Sequence, residues 1–344
     1  MKKNILFIAI LIGFFSWSCS KIDSDNKDLK QSLETSVSKI NNAISKISTT
    51  KGYQLLCVTE ETAKSDGSFK DSINLDLIAG IYDFQPDTIH RFNFFIPYRL
   101  FKKTGTSDKL IVNLPSKMIF HPKYLHNSMM SDSVLKNNFR ITASEYHLFY
   151  NWWNSYDYKL VAGFTLDNEE IGSLSMLESS KSFKQHSNSS KFTFKEGYNI
   201  SVSHETGDTS ISSFALAQNN DTLLKETEIF IRTGYHKFEK QYILSVGNVD
   251  IKRSTGVDSI QVFLNGVLQK KAGARIIDGP DSTVSICHKR DILLTFDDGT
   301  KTNLSTLIDP ARAKLRTLID ALGEMYLSKH IVDYIAIGIY YHSR

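Results

Sequence analysis

Cys19 is the residue whose surroundings point most directly to a chemical role. Its thiol follows Ser18, a small residue, at the end of an apolar run from Ile5 through Trp17 that only Gly13 and Ser16 interrupt. Cleavage before Cys19 would let its sulfur carry a diacylglyceryl group. A second chemistry is written into Tyr146 through Tyr158, which reads Tyr-His-Leu-Phe-Tyr-Asn-Trp-Trp-Asn-Ser-Tyr-Asp-Tyr. A flat aromatic ring covers the CH face of a sugar while neighbouring amides and carboxylates bond its hydroxyls. Tyr150, Trp152, Trp153 and Tyr156 are therefore the candidate ligand-binding residues. The competing reading is core packing, with Phe149 and one tryptophan inside and the tyrosines at the rim. Adjacent tryptophans in an extended segment point to opposite faces, so one of them would reach solvent.

Other clusters support less. His204-Glu205 lacks a second histidine one turn on and falls among strands, so it reads as surface. His121 and His126 flank Pro122 at a spacing that suits no helix face, and they read as loop histidines. Asp167, Glu169 and Glu170 lack the spacing and the glycine of a calcium loop and read as a solvated β-turn. No nucleophile elbow, zinc-protease helix, paired-cysteine motif or glycine-rich phosphate loop occurs, so no catalytic residue, metal ligand or cofactor is assigned. Carboxylate pairs of the glycoside-hydrolase kind are set by separation in space and carry no sequence motif.

The segment preceding Cys19 has the layout of an export signal: Lys2 and Lys3, then the apolar run, then Ser18-Cys19-Ser20-Lys21. A membrane-spanning helix needs roughly 20 apolar residues, so this run is too short and ends too abruptly to remain as an anchor. It resembles a lipobox of the relaxed kind seen in Bacteroidota, with Trp17 where a small residue is usual and Ser16 where leucine is common. The acid-bearing stretch Ser20-Lys21-Ile22-Asp23-Ser24-Asp25 is similar to signals that send such lipoproteins to the outer face of the outer membrane. Acyl chains contribute about 0.8 kcal/mol per buried methylene, enough for two or three of them to hold a protein without a spanning helix.

Removal of residues 1–18 from the 344 leaves 326, more than one core usually serves, so two domains are expected. The formal net charge of +4 loses two units with Lys2 and Lys3, and both signs are interspersed, which excludes an electrostatic case for nucleic acid. Besides Cys19 there are Cys57 and Cys287, in apolar strand-like surroundings; these read as independent buried thiols, with a disulfide between them, which the envelope permits, as the alternative.

Positioning elements follow from periodicity. Leu29, Leu33, Val37, Ile40, Ile44 and Ile47 form one stripe of a helix over residues 28–47, which spaces the body from the lipid and packs on it. Period two begins after Gly52, with strands expected at 53–58, 72–84, 92–96, 110–114, 139–141 and 158–166. Short connections make the sheet antiparallel. Residues 179–190, SSKSFKQHSNSS, are the sharpest break in composition and mark the expected domain boundary. Strands at 213–216 and 222–231 flank Asn219-Asn220-Asp221, and 260–264 and 267–269 flank Asn265-Gly266, the residues best suited to a type I′ turn. Asp297-Asp298-Gly299 marks a further turn. Asp309-Pro310 opens a helix through about Lys329, and the apolar run 331–341 reads as a buried final strand.

The expected fold is mainly β (α+β): antiparallel sheets in sandwich-like domains, an N-terminal amphipathic helix, and a C-terminal helix followed by a final strand. Residues 1–18 are the signal, 19–27 a lipidated tether, 28–185 the helix and first β-rich domain, and 190–344 the second. The whole layout resembles uncharacterised outer-envelope lipoproteins of Bacteroidota, and Cys19 alone is carried over from that likeness, as the lipidation site. The resemblance implies a non-catalytic protein anchored to the outer membrane by its lipid and binding a glycan or an envelope component. A glycan hydrolase with motif-free carboxylates and an adhesion component assembling by strand exchange are the alternatives.

Overall fold

The computed structural model describes residues 29–56, 72–85, 101–116, 136–151, 155–182, 185–234, 237–255, 260–278, 290–307, 318 and 326–342. Helix α1, Leu29–Ser48, buries Leu29, Leu33, Val37, Ile40, Ala43, Ile44 and Ile47, the expected stripe. Such spacing places one row of side chains along the core, so burial rather than propensity holds the helix. Its end is built locally. The hydroxyls of Ser48, Thr49 and Thr50 each donate to the carbonyl three residues back at 2.8 Å. Thr50 Oγ1 then accepts from the Tyr53 amide at 3.1 Å, capping α2, Lys51–Leu56. Residues 53–56 are thus helix, where a strand over 53–58 was expected. The hydroxyl-rich Thr49-Thr50 pair gives the backbone a cap that the apolar pattern alone does not reveal.

The body is one sheet of 15 strands. In chain order they are β1 Ser72–Asn74, β2 Gly80–Phe84, β3 Phe101–Gly105, β4 Leu110–Leu114, β5 Phe139–Asn151, β6 Ser155–Leu166, β7 Glu169–Ser182, β8 Gln185–Phe194, β9 Tyr198–Thr206, β10 Thr209–Gln218, β11 Asp221–Gly234, β12 Lys237–Val246, β13 Val249–Ser254, β14 Gln261–Leu264 and β15 Val267–Leu268. A short helix, α3, Leu75–Ile78, splits the strand expected over 72–84. From β5 to β15 every strand pairs antiparallel with its neighbour in sequence. Among the described residues only β2 and β4 run parallel, with β3 on the outer side of β2.

Two-residue turns fix this meander. Asp167 and Asn168 (φ 51° and 66°) join β6 to β7, and Asn265 and Gly266 (φ 49° and 77°) join β14 to β15. Both have positive φ at the two central positions, the geometry whose twist matches antiparallel strands. A smaller sheet, β16 Gly273–Asp278, β17 Arg290–Thr295 and β18 Lys301–Asn303, meets the large one through an Ile260–Ala274 bridge. Its turn at Asp297–Gly299 receives Lys30 of α1, whose Nζ lies 3.7 Å from Asp298 Oδ2.

Three expectations are corrected. Residues 331–341 are helical, inside α4, Tyr326–His342, and not a terminal strand. Ile331, Val332, Ile335, Ala336 and Tyr340 are the buried positions, a 3.6-residue rhythm with Asp333 inserted in it. A short, mostly apolar run does not separate strand from buried helix, and here the core face of the sheet still needed covering. That removes the segment on which donation of a final strand rested. Of the helix expected over 309–329, residues 308–317 and 319–325 lie outside the described residues, while Leu318 is helical and fully buried.

The sheets do not stack into sandwiches. A helix covers the apolar face instead, since each hairpin adds beside the previous one and no strand crosses to a second layer. Of residues 179–190, the composition break, 179–182 and 185–190 are described. The described ones form the facing ends of β7 and β8, bonded to each other and to β6 and β9, so the sheet is continuous where a domain boundary was expected. Among the described residues no helix is long and apolar enough to cross a membrane.

The middle strands are longer than their cover. Phe164, Phe192, Phe194, Ile200, Leu216 and Val246 are buried beneath the helices. Farther along the same strands, Val202, His204, Ser212, Glu228 and Tyr242 on that face are only half-buried, as are Ser201, Ser203 and Ser213 on the other. There, among the described residues, no helix or second sheet lies over either face.

Candidate functional site

Strand alternation assigns the side chains of β5 to β10 to two faces. Tyr158 and Leu160 of β6 point to the helices, so Asp157 and Lys159 point to the open face. Cross-strand pairing then lines the open face with two parallel rows. One passes through His147, Lys159, Leu177, Ser189 and Ser203, the other through Asp157, Ser179, Ser187, Glu205 and Ile211. Between them lies a cavity of about 580 Å³ that both rows line, and Tyr158, Glu178, Asn188 and His204 of the intervening row complete its lining. Two residues along a strand separate the rows, about 7 Å, and each row crosses four strand spacings, roughly 20 Å. The site is a trough running across the strands.

Its polar groups are largely unclaimed. The hydroxyls of Ser179, Ser187 and Ser189 and the carboxylate of Glu205 have no side-chain hydrogen bond or ion pair among the described residues. Ser203 and Ser213 share a hydrogen bond of 2.8 Å. Lys159 is paired with Glu145, which lies beyond the trough, so its charge is already offset. At the β5 end His147 Nδ1 stands 2.7 Å from Asn74 Oδ1, and Nε2 stands 3.6 Å from Asp157 Oδ2. The Asp157 side chain is 59% exposed and faces no cation closer than that imidazole. One wall thus carries two carboxylates with two hydroxyls between them, and Leu177, 48% exposed, offers an apolar surface on the other.

Such a surface can accept and donate hydrogen bonds to a polyhydroxylated chain and lay CH groups against Leu177 and Ile211. It is poorly arranged for hydrolysis. Asp157 and Glu205 lie in one cross-strand row three strands apart, so their backbones stand about 14 Å from each other. Retaining glycosidases place their two carboxyl groups about 5 Å apart and inverting enzymes about 6.5–9.5 Å.

Of the aromatic candidates, Tyr150 and Tyr156 fall on the other face. Tyr150 pairs with Tyr156 across β5 and β6, with ring centroids 6.3 Å apart and edge to face. Tyr156 in turn stacks on Tyr158 at 6.4 Å. Both are half-buried against the core, under the helices. Trp152, Trp153, Cys19, Cys57, Cys287, His121 and His126 lie outside the described residues. Of the acidic turn, Asp167 accepts from Asn138 Nδ2 at 3.1 Å, and Glu169 is held by Lys51 at 2.8 Å and Lys195 at 3.0 Å. Those two lysines draw the Glu169 pKa down to about 2. Among the described residues no three His, Cys, Asp or Glu side chains converge as metal ligands would.

Beneath this tyrosine stack lies the polar joint of the molecule. Asp333 Oδ1 of α4 accepts from Tyr146 Oη at 3.0 Å and from Tyr158 Oη at 3.1 Å. Its Oδ2 faces Lys329 Nζ at 3.3 Å, and that ammonium sits 4.3 Å from the Tyr158 ring centroid. Burial pushes the Asp333 pKa up against the pull of Lys329 and the two hydroxyls, and burial also raises both tyrosines well above the usual phenol value. The group is internal and fully occupied, so it locks α4 to the sheet and leaves no opening for a ligand.

The sequence signal for the trough is the spacing of serines two apart. Ser173, Ser175 and Ser179 in β7, Ser187 and Ser189 in β8, and Ser201 and Ser203 in β9 all fall on the open face. Ser179, Ser187 and Ser189 belong to the composition break that the sequence alone marks as a domain boundary. No protein-family model, curated protein or solved structure matches this chain.

Proposed function

We propose that this is a non-catalytic binding protein of the cell envelope, held at the outer membrane by an acylated Cys19, which takes a glycan in the trough of its open sheet face. The observation that carries the reading is the trough itself: among the described residues the hydroxyls of Ser179, Ser187 and Ser189 and the carboxylate of Glu205 are unclaimed, and Asp157 and Glu205 are too widely spaced for glycoside cleavage. Tyr150 and Tyr156, half-buried on the opposite face, serve the core in this reading. The export signal supports the location, because an apolar leader too short to span a bilayer needs a lipid to replace it.

The test is binding of the mature, soluble chain to a polysaccharide panel. Ser187→Leu combined with Ser189→Leu is expected to weaken the positive interaction at least about tenfold while leaving the melting temperature within a few degrees. Binding undiminished by that pair, or no binding to any polysaccharide by the unmodified chain, would overturn the reading. Palmitate incorporated by the full chain and lost in Cys19→Ser is the expected result for the anchor, and unlabelled mature protein would rule it out.

A further inference from the structure

We infer that the trough takes an internal stretch of a linear, uncharged polysaccharide lying across the strands, and discriminates against polyuronic acids. The inference rests on the glycan-binding reading and narrows it to a ligand shape and charge.

Shape follows from how the cavity is built. Its lining comes from six successive strands, β5 to β10, and only two rows of side chains flank it. A site made this way is long in the direction of strand stacking, about 4.8 Å per strand, and narrow along the strands. A single sugar ring would contact two or three of these strands and leave most of the polar groups to water. A chain several rings long would meet Asp157, Ser179, Ser187 and Glu205 in turn, with Leu177 on its other side. Among the described residues both rows continue past the cavity, to Phe149 beyond Asp157 and to Ser213 beyond Ser203. The geometry therefore points to recognition of the middle of a chain and not of its end.

Charge follows from which groups are already spoken for. Among the described residues Lys159 is the single lysine or arginine that lines the trough, and Glu145 engages it. His204 turns its ring to the helix face, where Nδ1 meets Ser212 Oγ at 2.8 Å. Asp157 and Glu205 remain as acceptors without a lysine or arginine partner among the described residues. Carboxylates accept hydrogen bonds from hydroxyl pairs, but a uronate placed in the same row would meet like charge and lose that bonding. Acidic chains are thus repelled at both ends of one wall.

The experiment is titration calorimetry of the mature chain with linear glucan, xylan and mannan oligosaccharides, from the disaccharide to the octasaccharide, beside oligogalacturonates of matched length. The expected result is affinity for at least one neutral series that climbs more than about tenfold with length before levelling off, with the uronate series bound at least about tenfold more weakly. Reduction of the chain end should leave affinity unchanged. The double variant Asp157→Asn with Glu205→Gln should narrow the gap between neutral and acidic chains, and a gap left intact counts against the charge argument. Saturation already at the disaccharide, dependence on the chain end, or equal binding of uronates overturns this inference while glycan binding stands. Failure of every oligosaccharide together with binding of a lysine-rich peptide overturns both.

Discussion

The phenol of Tyr158 donates to the Asp333 carboxylate at 3.1 Å across 175 positions of chain, and so fastens the last helix to the middle of the sheet. The same oxygen takes the Tyr146 hydroxyl at 3.0 Å, and Lys329, one helical turn earlier, covers the other carboxylate oxygen. The side chains of Lys329 and Asp333 are only 11% and 14% exposed, which puts the pair in the regime where breaking it costs far more than the pair itself contributes.

Asp333→Ala is expected to destabilise the protein by roughly 3–5 kcal/mol, because it strands a buried ammonium and two phenols. Tyr158→Phe should cost less, about 1.5–3 kcal/mol, since one hydrogen bond to a charged acceptor is lost and Tyr146 still serves that oxygen. Urea unfolding checks both, and equal losses would mean that the tyrosine, not the ion pair, holds the joint.

Acid should loosen this joint through His330. Burial, with a smaller contribution from Lys329, lowers its pKa from 6.5 to about 4, so the imidazole is neutral in the fold and readily protonated when unfolded. Its contribution to stability is full above the unfolded value and is lost as pH falls through the window from about 6.5 to about 4. Asp333 acts oppositely: its raised pKa favours the protonated form, a gain that appears as pH falls through its folded value and is absent above it. His330→Asn should flatten the decline between pH 6.5 and 4 in urea midpoint against pH, and Asp333→Asn should steepen it. A wild-type profile level over that window would refute the assignment.

Gly247 is where α1 meets the β12–β13 hairpin. Its φ is +59°, and a Cβ there would run into Ser36 Oγ on the buried face of the helix. Gly266 has φ +77° in the β14–β15 turn, with open space around it. Gly266→Ala should cost only the left-handed strain, about 1–2 kcal/mol, whereas Gly247→Ala adds overpacking of a further 1–3 kcal/mol. Thermal unfolding of the two variants measures the difference, and equal losses would mean that the helix does not seat as closely as Ser36 requires.

Glu169 is solvent-exposed between Lys51 of α2 and Lys195 beyond the end of β8. Its carboxyl should titrate near pH 2 at low salt, and its midpoint should climb toward the ordinary value as salt screens the two lysines. Carbon-detected NMR of the side chain reads this directly. A salt-independent midpoint would transfer the effect from charge to hydrogen bonding.

Much of this architecture was legible residue by residue. The stripe Leu29-Leu33-Val37-Ile40-Ile44-Ile47 announced α1, the Asn265-Gly266 pair announced its turn, and alternation announced β4 and most of β6, since each depends on positions close in the chain. The run 331–341 was not legible as helix, because a mostly apolar stretch of eleven residues satisfies either backbone until a neighbour decides which face it must cover. Nor was the trough. Serines two apart in 173–203 are visible on paper, but they make a surface only after β5 to β10 align in a register that sets Asp157 opposite Ser179, Ser187 and Glu205.

What the chain determined alone was therefore local: the amphipathic helix, the turns and the strand content, all governed by neighbours within a few residues. Only tertiary structure decided that the strands form one large sheet, that helices cover one face of it, and that among the described residues the other face carries no such cover. Those outcomes depend on hydrogen-bond register and burial between residues tens to hundreds of positions apart, and no short window of sequence contains both partners.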